Sequence, residues 1–230
     1  MLTLAIDCSA RYCAVALHED AGDRILASAS PDIGRGHAEQ LPGIATSVLA
    51  QAGRTMSDLN RIAVTIGPGS FAGIRVGVSF ARGLSLALGV PCVGVGALDA
   101  MAAPAAEARA TPVMAVLDAR RGKVWALVAE AGGAVAFPGA ELSPAEAARH
   151  AQSCGADLLG SGAALLAEID PALGERVLGD PAAPAIGDVA RLAARLDPSA
   201  NPPEPRYLRE ADAKPQTGFA LPHESAGQWS

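Results

Sequence analysis

With half of its 230 residues hydrophobic and only 18% charged, the sequence excludes a disordered chain and is long enough for one large domain or two small ones. A net charge of -6 and an aromatic content of 3% argue against unaided binding to nucleic acid, which needs clustered Lys and Arg and rings for stacking, so any RNA would have to be held by a partner. Cys8, Cys13, Cys92 and Cys154 form no CxxC pair and lie in apolar, strand-like stretches, which predicts four buried, reduced thiols and a cytoplasmic protein. The start, MLTLAIDC, lacks a basic leader region, and no apolar run reaches the ~18 residues of a membrane span.

Leu2 to Ile6 is a short apolar run ending in Asp7, Cys8 and Ser9, and Tyr12 to His18 follows after a tight polar turn, so the two predict a hairpin. Arg24 to Ser30 can add a third strand before Pro31 and GRGH break the pattern. His37 begins a helix with an apolar stripe of Leu41, Ile44, Val48 and Leu49. Arg61 to Ile66 reads as a buried strand, and Pro91 to Val95 as another, followed by an alanine-rich helix. The order of elements predicts an α/β layer with a mixed sheet.

Between the last two strands lies the segment around which the chain is organised, GPGSFAGIRVGVSFARGLSLALGV from Gly67 to Val90. Gly67, Pro68 and Gly69 form a turn, Ser70 can cap the helix that follows, and Gly73, Gly77, Ala81, Ser85 and Gly89 recur every fourth residue along one nearly bare line. Glycine inside a helix costs roughly 1 kcal/mol relative to alanine, so something must approach this backbone closely. A phosphate at the helix start is one candidate, although the lysine of GxxxxGK[ST] is missing and the segment is not GxGxxG. A packed neighbour is the other, either the domain's own sheet or a second helix.

Composition turns to alanine and proline around Ala103 to Pro112, and the pattern then restarts. Val113 to Leu117 runs into Asp118, Arg120, Arg121 and Gly122 turn into Val124 to Ala129, and setting LAIDCSARYCAVAL beside AVLDARRGKVWALV makes the aspartates coincide. Val135 to Phe137 reads as a third strand, Ser143 caps a helix to about His150, Leu158 to Gly160 is a strand, and Ile186 to Leu196 is a helix. This repeat predicts two lobes, residues 1–105 and a smaller 106–209, with 210–230 a disordered tail. Tyr207 and Leu208 of PEPRYLRE are expected to dock on the body.

A duplicated βββαβα unit with an aspartate after each first strand resembles the actin-like ATPase and sugar-kinase superfamily (ASKHA, ribonuclease-H-like), in which that turn faces nucleotide phosphates between two lobes. Within it, IDCSARYCAVAL, GRGHAEQLPGI, IGPGSFAGIRVGVSFARGLSLALGVPCVGV, LDARRGKVWAL and PRYLR resemble the TsaB (YeaZ) family of bacterial tRNA threonylcarbamoyladenosine biosynthesis proteins. The matches run from Asp7 to Arg209, and GPGSFAGIR is the most specific of them. The resemblance implies a non-catalytic partner of the transferase TsaD, acting with the ATPase TsaE, touching tRNA only through the complex and requiring no membrane.

The residues also weaken the catalytic alternatives. TsaD-like proteins carry a metal-binding HxxxH, but here the fourth residue after His37 is Leu41, so no metal site is expected and His37 is read as a cap or surface residue. Asp7, Ser9, Gly67 and Gly69 are left as a vestigial phosphate loop, because the glycine and threonine usual after the aspartate are replaced and DARRGK puts Arg120, Arg121 and Lys123 where a kinase has glycines. GSGA, from Gly160 to Ala163, is at best a faint relic of an adenosine loop. Asp7 and Asp118 are expected to cap their own turns. The alternatives are a small actin-fold ATPase or kinase and a metallopeptidase-like protein. No cofactor is expected on the chain alone, and a nucleotide, if bound, would lodge at an interface of the complex. The expected interface with TsaD, or with a second copy in a homodimer, comprises Leu41, Ile44, Val48, Gly73, Val76, Gly77, Phe80, Ala81 and Leu84, and no catalytic residue is nominated.

Overall fold

The computed structural model describes residues 1–208. The first sheet begins with three antiparallel strands, β1 (Leu2–Asp7), β2 (Ala14–Glu19) and β3 (Arg24–Ala29). Helix α1 (His37–Gln51) leads to β4 (Arg61–Gly67), α2 (Phe71–Leu88) and β5 (Cys92–Gly96), giving the strand order β3-β2-β1-β4-β5 with β4 and β5 parallel to β1. After α3 (Ala97–Glu107) the plan repeats: β6 (Val113–Arg120), β7 (Lys123–Ala129) and β8 (Val135–Leu142) form an antiparallel meander. Helix α4 (Pro144–Cys154), β9 (Asp157–Leu159), α5 (Ala163–Ile169), β10 (Val177–Gly179) and α6 (Ile186–Arg195) complete it. The second sheet runs β10-β9-β6-β7-β8, which read backwards is the order of the first. Two sheets of one connectivity and one pattern of strand directions are the duplicated actin-like architecture.

Alternation along the strands decides which helices cover which face. Leu4 and Ile6 of β1, Val15 and Leu17 of β2 and Ile62 and Val64 of β4 point toward α1 and α2 and form the largest core with Leu41, Val48, Ile74 and Ala81. The opposite face, Ala5, Ala14, Ala16 and Ala63, is covered by Ile186, Val189, Ala190 and Ala193 of α6. In the second sheet, Met114 and Val116 meet α4 and α5, while Ala115 and Leu117 meet Leu98, Met101 and Ala102 of α3. The two connecting helices are therefore exchanged: α3 follows the first sheet and covers the second, and α6 follows the second and covers the first. Residue 105 lies inside α3, and the chain passes between sheets through the turn after Glu107.

Helix α5 and strand β10 have no counterpart among the expected elements, and α4 runs to Cys154 rather than His150. Of the four cysteines, Cys8 and Cys13 are buried, but Cys92 is half-buried and Cys154 is exposed near the end of α4, where its thiol donates to the His150 carbonyl at 3.0 Å. Helix α2 is 18 residues long and, by length and composition, apolar enough to cross a membrane; its inner line packs on β4 and β1 instead. The stretch 210–230 lies outside the described residues.

Candidate functional site

Two regions concentrate the residues singled out by the sequence: the cleft between the sheets and the paired helices α1 and α2. The cleft has a volume of about 720 Å³ and is lined by Ser9, Arg11, Gly69 and Ser70 from one side and by Asp118, Arg120, Trp125 and Ser161 from the other. Each hairpin turn is closed by its aspartate. Asp7 Oδ1 accepts from Ser9 N–H at 2.8 Å, and Asp118 Oδ1 accepts from Arg120 N–H at 2.8 Å, the i to i+2 bond of an Asx turn.

The aspartates nevertheless occupy opposite faces. Asp7 lies across from Ala14, on the α6 side, whereas Asp118 lies across from Val124, on the α4 and α5 side. Aligning them in sequence puts the two first strands one residue out of phase, and with a period of two that reverses every side chain.

The turn Gly67–Ser70 is engaged by the first hairpin. Ser70 N–H donates to the Ser9 carbonyl at 2.6 Å, Ser70 Oγ accepts from Gly73 N–H at 3.2 Å, and Gly69 lies flush on the Ser9 carbonyl, so the N–H groups of Ser70 and Gly73 at the helix start are already bonded within the fold. Behind Gly67, Arg206 N–H donates to the Ile66 carbonyl at 2.8 Å. The cleft arginines already have partners: Arg11 pairs with Asp32 at 2.7 Å and Arg120 with Asp118 at 3.1 Å. Gly160 and Gly162 pack on the carbonyl and side chain of Val116, and Ser161 Oγ accepts from Asp118 N–H at 3.2 Å.

Asp7 itself is buried and borders a small cavity of about 280 Å³ lined by Tyr12, Ala14 and residues 181–186. Burial pushes its carboxyl above the usual range, with the Ser9 hydroxyl and N–H and the nearby Thr65 acting against the rise. His37, expected as a cap or surface residue, is buried at the start of α1, and its Nε2–H donates to the Tyr12 carbonyl at 3.1 Å, tying α1 to the first hairpin. Leu41 is fully buried, and among the described residues no group of three or more His, Cys, Asp or Glu is placed to hold a metal ion.

The expected interface residues divide into two sets. Leu41, Val48, Gly73, Gly77 and Ala81 face inward: a β-carbon at Gly73 would collide with the Cys8 carbonyl, and one at Gly77 would meet Val64 at 3.5 Å and Cys8 at 3.6 Å. The bare line on α2 thus belongs to the protein's own sheet, which needs the helix close because Cys8 lies under it. Ile44, Val76, Phe80 and Leu84 are only partly buried and remain on the flank.

Three features of this surface were not anticipated. Gly43 on α1 and Gly83 on α2 have no atom within 4 Å of a built β-carbon, so nothing inside the fold explains them. Leu86 is 85% exposed and Phe71 55% exposed on the same helix. At its N-terminal end the Arg75 guanidinium stacks 3.8 Å over the Phe71 ring, and Tyr207 completes the cluster, its ring 5.1 Å from Phe71 and its hydroxyl accepting from Arg75 Nε at 3.1 Å. The docking of Tyr207 was foreseen from PEPRYLRE, and Leu208 packs beside Leu98 and Gly139. An exposed glycine within a helical pattern is the signal that could have marked the outer face.

Comparison with known proteins agrees with this architecture. Residues 30–155 match the family model described as TsaD, tRNA N6-adenosine threonylcarbamoyltransferase. The tRNA threonylcarbamoyladenosine biosynthesis protein TsaB of Escherichia coli is 38% identical over 126 residues, 54% of this chain and 53% of that protein. A tRNA N6-adenosine threonylcarbamoyltransferase of Paracoccus denitrificans is 47% identical over 81 residues, 35% of this chain and 21% of that protein. The matches to the TsaB relatives from Escherichia coli and Buchnera aphidicola thus span only 53% and 58% of their length. Among solved structures, YeaZ from Pseudomonas aeruginosa superposes with a TM-score of 0.69 at 27% identity, covering 90% of this chain and 99% of that one. The chain belongs to the TsaD family and, within it, to the TsaB (YeaZ) branch.

Proposed function

We propose that this chain is a non-catalytic scaffold or activator subunit in the biosynthesis of tRNA threonylcarbamoyladenosine, binding a TsaD-type transferase through the outer faces of α1 and α2. The observation that carries the reading is the pair Gly43 and Gly83, helical glycines that face open space. Each costs its helix roughly 1 kcal/mol for no internal return, a pattern suited to another chain's helices approaching at the short end of the usual ~8–10 Å spacing. Val76, Phe80 and Leu84 flank Gly83 and supply the ridge. Similarity of residues 30–155 to TsaD itself supports a partner of related fold. The same surface, related by a two-fold axis, would make a homodimer when the partner is absent.

In this reading TsaE and tRNA join through the complex, a nucleotide sits only at an interface of the assembly, and the protein works in the cytoplasm without a metal or cofactor of its own. The closed Ser9–Ser70 contact and the ion-paired arginines of the cleft favour it over an ATPase. The test is Gly83→Leu, measured by calorimetry with the TsaD of the same source. The expected result is a melting temperature equal to or above that of the parent, with affinity reduced tenfold or more, the ~1.4 kcal/mol or more that an intruding side chain removes. Unchanged affinity would overturn the assignment.

A further inference from the structure

We infer that Cys8 and Cys13 are a redox pair, closing a disulfide across the first hairpin when the protein meets a peroxide-class oxidant. Antiparallel pairing of β1 with β2 ends at Asp7 opposite Ala14, so the next position sets Cys8 opposite Cys13. Both side chains point to the α1 and α2 face and join the same core. Directly opposed residues of an antiparallel pair have Cα atoms ~4.5–5.5 Å apart, inside the ~4.4–6.8 Å that a disulfide accepts.

Their environment separates the two thiols chemically. The neighbouring Cys8 favours a thiolate on Cys13 and lowers its pKa against the effect of burial, while Cys13 and burial push Cys8 up, so Cys13 is the nucleophile and Cys8 the resolving thiol. The Cys13 thiolate attacks one peroxide oxygen, the O–O bond breaks, and hydroxide leaves with the displaced thiol proton as water, leaving a sulfenic acid. The Cys8 sulfur then attacks the Cys13 sulfur; the S–O bond breaks, the S–S bond forms, and a second water carries off the Cys8 proton. Two thiols lose two electrons to one peroxide, which becomes two waters. Both thiols are buried, and the turn that joins them carries Arg11 and Tyr12 at the surface.

The same short turn is where both helices are anchored. Tyr12 accepts from His37 at the start of α1, and Ser9 accepts from Ser70 at the start of α2. Bonding Cys8 to Cys13 therefore acts on the segment that seats the two helices.

The test is intact-mass and peptide mapping of the native full chain after graded hydrogen peroxide, with the exposed Cys154 as an internal reference. The expected result is the loss of two hydrogens per chain, mapped to a Cys8–Cys13 link and reversed by dithiothreitol. Cys8→Ser should trap a dimedone-reactive sulfenic acid on Cys13, whereas Cys13→Ser should leave Cys8 unreactive. Oxidation of Cys154 with Cys8 and Cys13 still reduced, or a link that forms only in urea, would overturn the inference. The readout uses no partner, so its failure is separate from a failure of the proposed function.

Discussion

Gly73 sits directly on the carbonyl of Cys8, so close that a β-carbon there would collide with the oxygen and lie 3.2 Å from the carbonyl carbon. Four residues on, Gly77 has ordinary contacts at 3.5 Å and beyond. The two glycines look alike in sequence but differ in what they tolerate. Gly73→Ala is expected to destabilise the chain by ~1–3 kcal/mol, the usual cost of overpacking, because the atom in its way is backbone. Gly77→Ala should be neutral or stabilising by up to ~1 kcal/mol through helix propensity. Urea denaturation of both variants checks the contrast.

The outward glycines should behave in the opposite sense. Gly43→Ala and Gly83→Ala add a methyl group to open space, so each is expected to stabilise the isolated chain by ~0.5–1 kcal/mol. Thermal denaturation of the single and double variants measures this, and a loss of stability would mean that the fold itself needs these glycines.

Asp7 gives a pH-dependent expectation with a definite sign. Its carboxyl is held above the usual range by burial, so at neutral pH the folded state bears the cost of an ionised buried group, and that cost fades as pH falls through the raised pKa. Asp7→Asn keeps an oxygen for Ser9 N–H and removes the charge. The variant is expected to melt higher than the parent at pH 7, with the difference shrinking at acid pH. A gain that is the same at every pH would point to packing rather than ionisation.

The sheets and most helices were legible because their cues are local. Asp7 and Asp118 each end an apolar run before a polar turn, Ser70 and Ser143 announce helix starts, and both side chains do accept from the third residue on. What was not legible is of two kinds. Helix α5 and strand β10, of 7 and 3 residues, are too short to display a period. The face chosen by an apolar line is a tertiary matter: Gly73, Gly77 and Ala81 make the same pattern whether a sheet or another chain lies against them. Likewise nothing in residues 186–196 says that they return to β1 and β2.

That return can be tested through Arg61, whose Nη1 donates to the carbonyls of Ala193 at 2.5 Å and Leu196 at 3.3 Å, capping α6 from the start of β4. Arg61→Met preserves bulk but leaves those carbonyls without the donor. A loss of about 1.5–3 kcal/mol is expected, as for hydrogen bonds from a charged group, with faster amide exchange concentrated in α6. Uniform exchange across both lobes would argue against a local cap.

The crossing of α6 onto the first sheet also sets an order of events during synthesis. A chain emerging from the ribosome presents β1 to β5 early, yet Ala5, Ala14, Ala16 and Ala63 find their cover only when Ile186 to Ala193 have been made. Until then the nascent first lobe carries an open apolar face, and translation must finish nearly the whole described chain before that face is sealed. Fragments ending before residue 186 are thus expected to aggregate or to bind chaperones, while single changes in α6 are felt first in the lobe that is made before it.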